Sequence, residues 1–71
     1  MSKKKLMTME EARKKAGIIH QAEMAKKLGM LRETYRSKEN YEKKMKADEL
    51  MLFCDKTGTN PDELYILGYN M

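Results

Sequence analysis

Every glycine in this 71-residue chain closes a stretch whose apolar residues recur at helical spacing. That punctuation limits the fold to short helices joined by tight turns. Gly17 follows Met9, Ala12 and Ala16, and Gly29 follows Ala22, Ala25 and Leu28. Gly58 follows Leu50, Met51, Phe53 and Cys54, and Gly68 follows Leu64, Ile66 and Leu67. No segment alternates apolar and polar residues as a half-buried strand would, and no repeat is present. The expected fold class is all-α, a compact five-helix domain.

Local signals set the expected boundaries. Thr8-Met9-Glu10-Glu11 reads as a capping box that opens a first helix running to about Ala16. A second helix covers Gln21 to Leu28. A third runs from Arg32 to about Asn40 and is so polar that Tyr35 is its only large apolar residue. Tyr41 to Lys46 is a charged connector, and a fourth helix runs from Ala47 to Thr57. Asn60-Pro61-Asp62-Glu63 combines an N-cap side chain, a first-turn proline and two acids, which predicts a fifth helix ending at Gly68. Residues 1–7 are expected to be a flexible basic arm, 8–68 the domain and 69–71 a tail. The expected core is Ala12, Ile18, Met24, Ala25, Leu28, Met30, Tyr35, Leu50, Phe53, Cys54, Leu64 and Leu67. The eight methionines help fill its irregular gaps.

Size and composition exclude several function classes. A chain this short buries only about 60% of its unfolded surface, which rules out a large enzyme. No run approaches the roughly 20 apolar residues that span a bilayer, and the basic start is followed by no apolar signal segment. One cysteine and one histidine offer neither an internal disulfide nor a metal site, so a reduced, cytoplasmic protein with no cofactor is expected. Cys54 reads as a small core residue and His20 as a surface or capping residue. Charge is polarised along the chain. Residues 1–46 hold fourteen Lys and Arg against six acids, +8, whereas residues 47–71 hold one Lys against five acids, −4. A basic front fits a polyanion partner, although lysines and glutamates also simply solubilise helices.

The stretch Gln21-Ala22-Glu23-Met24-Ala25-Lys26-Lys27-Leu28-Gly29-Met30-Leu31-Arg32-Glu33-Thr34-Tyr35-Arg36 has the parts of a helix-turn-helix. A small Ala25 lets the next helix cross closely, and Gly29 supplies the reversal. Leu28, Met30 and Tyr35 fix the angle, so that the polar helix projects outward. Here the sequence resembles the lambda-repressor-like, Cro-type helix-turn-helix family over about residues 9–67. The resemblance is carried by the Lys-Lys-Ala-Gly end of the first helix, Gln21…Ala25-Lys26-Lys27-Leu28-Gly29, Lys38-Glu39-Asn40 and Thr59-Asn60-Pro61-Asp62-Glu63-Leu64. It implies that the third helix reads DNA and that Gln21 contacts it from the start of the second. The chain departs from the family pattern at several points. It has one extra residue between Gly17 and Gln21, His20 and Leu31 at positions usually held by polar N-caps, Lys38 where an apolar core residue is common, and Tyr41 where Gly is common.

The resulting expectation is a small sequence-specific regulator that binds double-stranded DNA. Arg32 or Arg36 would bond to guanine, Glu33 to cytosine, and Thr34 to phosphate or a thymine methyl. Ser37 and Lys38 complete the helix face, and Gln21, Lys43, Lys44 and Lys46 would anchor phosphates. A single domain covers one half-site, which implies a homodimer or a heteromeric complex with a partner repressor. Tyr65, Ile66 and Tyr69 are candidates for that contact, or else caps of the core. The alternative is a modulator, like those of temperate phages, that acts on a partner repressor through acidic residues 48, 49, 55, 62 and 63. Asp55-Lys56-Thr57-Gly58-Thr59 matches the phosphorylation motif of P-type ATPases, but here it falls at a helix end, and no catalysis, metal, small-molecule ligand or membrane partner is expected.

Overall fold

The computed structural model describes residues 6–68. It contains four α-helices: α1 (Met9–Lys15), α2 (Gln21–Leu28), α3 (Arg32–Glu39) and α4 (Ala47–Thr57). A single 3₁₀ turn follows at Pro61–Glu63. The Cα radius of gyration is 11.6 Å, close to the roughly 11 Å of a compact domain of this size. No described helix is long and apolar enough to cross a membrane.

Local chemistry builds most of this. The Thr8 hydroxyl accepts from the Glu11 amide at 3.1 Å, and the Glu11 carboxylate accepts from the Thr8 amide at 2.9 Å, which completes the capping box of α1. At the other end of α2, Gly29 enters the left-handed region (φ 70°). The Met30 amide then reaches back to the Ala25 carbonyl at 3.0 Å, a Schellman closure. The same back-bond closes α1, from Ile18 to Arg13 at 3.1 Å, and α4, from Thr59 to Cys54 at 3.1 Å.

The helices enclose a core centred on Tyr35 and Phe53, both fully buried, with Ala12, Ile18, Met24, Ala25, Leu28, Leu50, Cys54 and Leu64 around them. Each large side chain removed from water contributes about 1.5–3 kcal/mol. Met30 and Leu67, expected in the core, are half-buried. Met9, Met45 and Ile66 take core places instead. Ile66 therefore caps the core and is not a surface contact, while Tyr65 stays exposed, its ring edge-on to that of Tyr41 with centroids 5.1 Å apart. Tyr69, like the arm residues 1–5 and the tail 69–71, lies outside the described residues.

The expected fifth helix is the main correction. After one 3₁₀ turn Leu64 is extended (φ −110°, ψ 143°) and forms an isolated parallel bridge with Met7. The Met7 amide donates to the Glu63 carbonyl, and the Tyr65 amide donates to the Met7 carbonyl, both at 2.8 Å. Those amide and carbonyl groups would otherwise serve a helix. The backbone requirement is met by a segment more than fifty residues away in sequence, and the helix-start signal is overridden. The same bonds hold Met7, so the expected flexible arm does not extend to that residue.

Candidate nucleic-acid interface

The candidate surface is built from the α2–turn–α3 unit and the connector that follows it. Along α3 only Tyr35, Lys38 and Glu39 are buried. Arg32 and Glu33 are exposed, and Thr34, Arg36 and Ser37 are half-buried. The polar segment thus forms a helix that rests on a buried edge, with Thr34, Arg36 and Ser37 partly covered and Arg32 and Glu33 open to solvent. The Arg36 Nε donates to Glu33 Oε1 at 3.1 Å, so one of the two arginines on this face carries its own counter-charge. Lys43 and Lys44 are exposed just beyond the helix. Their loop is held to α3 by the Ser37 carbonyl, which accepts from the amides of Glu42 at 2.8 Å and Lys43 at 3.3 Å.

What fixes α3 in place is a buried polar cluster. Glu39, at the end of α3, accepts from Arg13 Nε at 2.8 Å, Arg13 Nη2 at 3.3 Å, Gln21 Nε2 at 2.7 Å and the Tyr35 hydroxyl. Arg13 Nη1 donates to the carbonyls of Ile18 at 2.8 Å and Ile19 at 2.5 Å. Donors from α1, the first residue of α2 and α3 itself converge on one carboxylate, and Arg13 ties the α1–α2 loop to it. Burial pushes the Glu39 carboxyl up, but the donors from Arg13, Tyr35 and Gln21 outweigh it and hold the group below its ordinary range. The hydrogen bond to Glu39 raises Arg13 in turn. Burial, reinforced by the neighbouring carboxylate, pushes the Tyr35 phenol well above its usual value.

Two of the candidate contact residues belong to this interior chemistry. Lys38 is buried, and its Nζ pairs with Glu49 Oε1 at 2.5 Å. Buried beside Glu49, it does not lie on the outward face. The Gln21 amide is half-buried and committed through Nε2 to Glu39, which leaves its carbonyl oxygen as the free acceptor. Arg32, Glu33, Thr34, Arg36 and Ser37 share the α3 surface, with Lys43 and Lys44 adjacent in the chain.

The sequence reading missed Arg13 and Glu39. The signal was present: Arg13 stands four residues after Met9 on the apolar stripe of α1, and Glu39 stands four after Tyr35 on the buried edge of α3. Elsewhere, Cys54 is buried, and that burial raises its thiol pKa. His20 is exposed and makes no side-chain cap bond to α2. Asp55 lies in α4 ahead of Thr57, whose hydroxyl donates to the Phe53 carbonyl at 2.8 Å. No known family model matches this chain, and neither does a curated protein or a solved structure.

Proposed function

We propose that this chain is a small, sequence-specific DNA-binding transcriptional regulator of the lambda-repressor-like, Cro-type helix-turn-helix class that presents α3 to the major groove. The observation that carries the reading is the α2–Gly29–α3 unit itself. Two eight-residue helices are joined by a left-handed glycine turn, the second buries only Tyr35, Lys38 and Glu39, and a buried ion pair clamps it in place. A rigid polar helix held by one edge is what groove docking requires. Arg32 is the best-placed guanine reader, because Arg36 first has to leave Glu33. Lys43 and Lys44 would supply the phosphate anchors.

The test is selection of binding sites from randomised duplex DNA, followed by titration of the salt dependence. The expected result is one enriched site. Arg32→Ala relaxes its specificity, and Lys43→Ala and Lys44→Ala each lower the salt slope by about one unit. Lys38→Met is expected to leave that slope unchanged, because its ammonium serves Glu49. No enrichment, or enrichment indifferent to Arg32, overturns the reading. The Glu33–Arg36 pair on the α3 face and the exposed acids Asp48, Asp55 and Asp62 favour one alternative, an antirepressor-like modulator that acts on a partner repressor. That alternative is supported if DNA is retained only when the repressor is added.

A further inference from the structure

The outward side of α4 is built unlike the outside of an ordinary surface helix. Asp48, Met51, Leu52 and Asp55 stand at i, i+3, i+4 and i+7, on the side opposite the buried Leu50, Phe53 and Cys54. Met51 is 70% exposed and Leu52 37%, so α4 is apolar on two opposite faces, and only one of them is covered. Asp55 adds a second anomaly. It lies near the C-terminal end of α4, where the helix dipole disfavours an anion, it is exposed, and no cation among the described residues pairs with it. Each feature costs stability locally, and all would be offset by one kind of occupant, an apolar surface flanked by positive charge.

A second copy of α4 does not meet that description. Antiparallel pairing about a twofold axis between positions 51 and 52 sets the Asp48 of each copy against the Asp55 of the other, and parallel pairing sets like residue against like. Both arrangements oppose carboxylates. We propose that the Asp48–Met51–Leu52–Asp55 stripe is a docking surface for a basic amphipathic helix of a partner protein. The partner's adjacent apolar side chains cover Met51 and Leu52, and its lysines or arginines, about two turns apart, meet the two aspartates. This inference is independent of DNA reading by α3; it deepens the modulator alternative, whose Asp48 and Asp55 it shares, by naming the chemistry of the partner surface.

The test titrates the full-length, ¹⁵N-labelled chain with a synthetic helical peptide of Lys-Leu-Ala-Lys repeats, and with a control peptide in which every Lys is Glu. The expected result is amide shifts confined to α4 with the Lys peptide and none with the Glu peptide. Affinity falls about ten-fold in the double variant Met51→Ser with Leu52→Ser. The charge-reversed variant Asp48→Lys with Asp55→Lys is expected to exchange its preference and bind the Glu peptide. All four positions are exposed, and a native circular-dichroism spectrum with cooperative melting verifies that each variant folds, even where its Tm shifts. Three outcomes overturn the proposal: no α4 shifts at millimolar peptide, equal binding to the Met51/Leu52 variant, or sedimentation showing a dimer that Met51→Ser dissolves, which would make a second copy the occupant.

Discussion

Glu39 organises more of this protein than any other single residue. Its two oxygens receive donors from Arg13, Gln21 and Tyr35, and no buried polar side-chain atom among the described residues lacks a partner. Breaking one side of a buried pair strands the other charge, so Glu39→Gln is expected to cost about 3 kcal/mol in urea denaturation at neutral pH. In a domain of this size that is a large share of the total stability. Tyr41 is a second residue with more than one task. It is the only non-glycine residue among those described with a positive φ, 63°, a conformation that costs about 1 kcal/mol or more. Its hydroxyl offsets part of that cost by accepting from the Met9 amide at 3.2 Å and donating to the Tyr65 carbonyl at 3.1 Å, which bridges the start of α1 to the C-terminal segment. Tyr41→Phe is expected to lower stability by about 1–2 kcal/mol, with amide shifts at Met9 and the residue after Tyr65. Shifts restricted to the connector would show that the bridge is not made.

Among the elements, α3 is the one least supported by its own sequence. Its N-cap is Leu31, 76% exposed and without an oxygen to offer the first turn, and its surface carries few apolar side chains. The helix exists because Tyr35 and Glu39 are anchored by the rest of the molecule. Leu31→Asn supplies the missing cap and is expected to raise stability by about 1 kcal/mol, visible as a higher Tm. No change, or a loss, would mean that the leucine makes a contact of its own. The caps of α4 and of the 3₁₀ turn are likewise partial. Glu49 and Glu63 reach back to the amides of Lys46 at 2.9 Å and Asn60 at 3.0 Å, but neither N-cap side chain returns the bond; in α4 the Glu49 amide donates instead to Asp48 Oδ1 at 2.9 Å.

For the whole molecule, the buried charges make stability depend on acid. The sign follows from two groups. Burial pushes Glu39 and Glu49 up, but donors from Arg13, Tyr35 and Gln21 to the first, and from Lys38 and Lys46 to the second, hold both below their ordinary value of 4.5. Below that value the unfolded chain binds more protons than the folded one. The stabilisation is therefore complete above pH 4.5 and is lost as pH falls through the lower folded values. Urea midpoints are expected to be flat from neutrality to about pH 5 and to drop below it. The drop should be smaller in Glu39→Gln, and an equal drop in that variant would remove Glu39 as its source.

The sequence by itself determined what depends on neighbours within about five residues. The Thr8 box, the glycine closures of α1, α2 and α4, the extents of α2 and α4 and the polar outer surface of α3 were all legible, because helix bonds and caps close locally. In the candidate site, the exposure of Arg32, Glu33, Lys43 and Lys44 followed from the same local reasoning. Only the tertiary structure decided whether a polar residue found a partner far along the chain. Arg13 waits on a carboxylate twenty-six residues away, and Lys38 on one eleven residues away. Leu64 is extended because its flanking backbone groups pair with Met7. A charge on an apolar stripe is costly until its counter-charge arrives, and a helix start is favourable until another segment takes its hydrogen bonds. Both outcomes are set by contacts that form only when the chain has closed on itself.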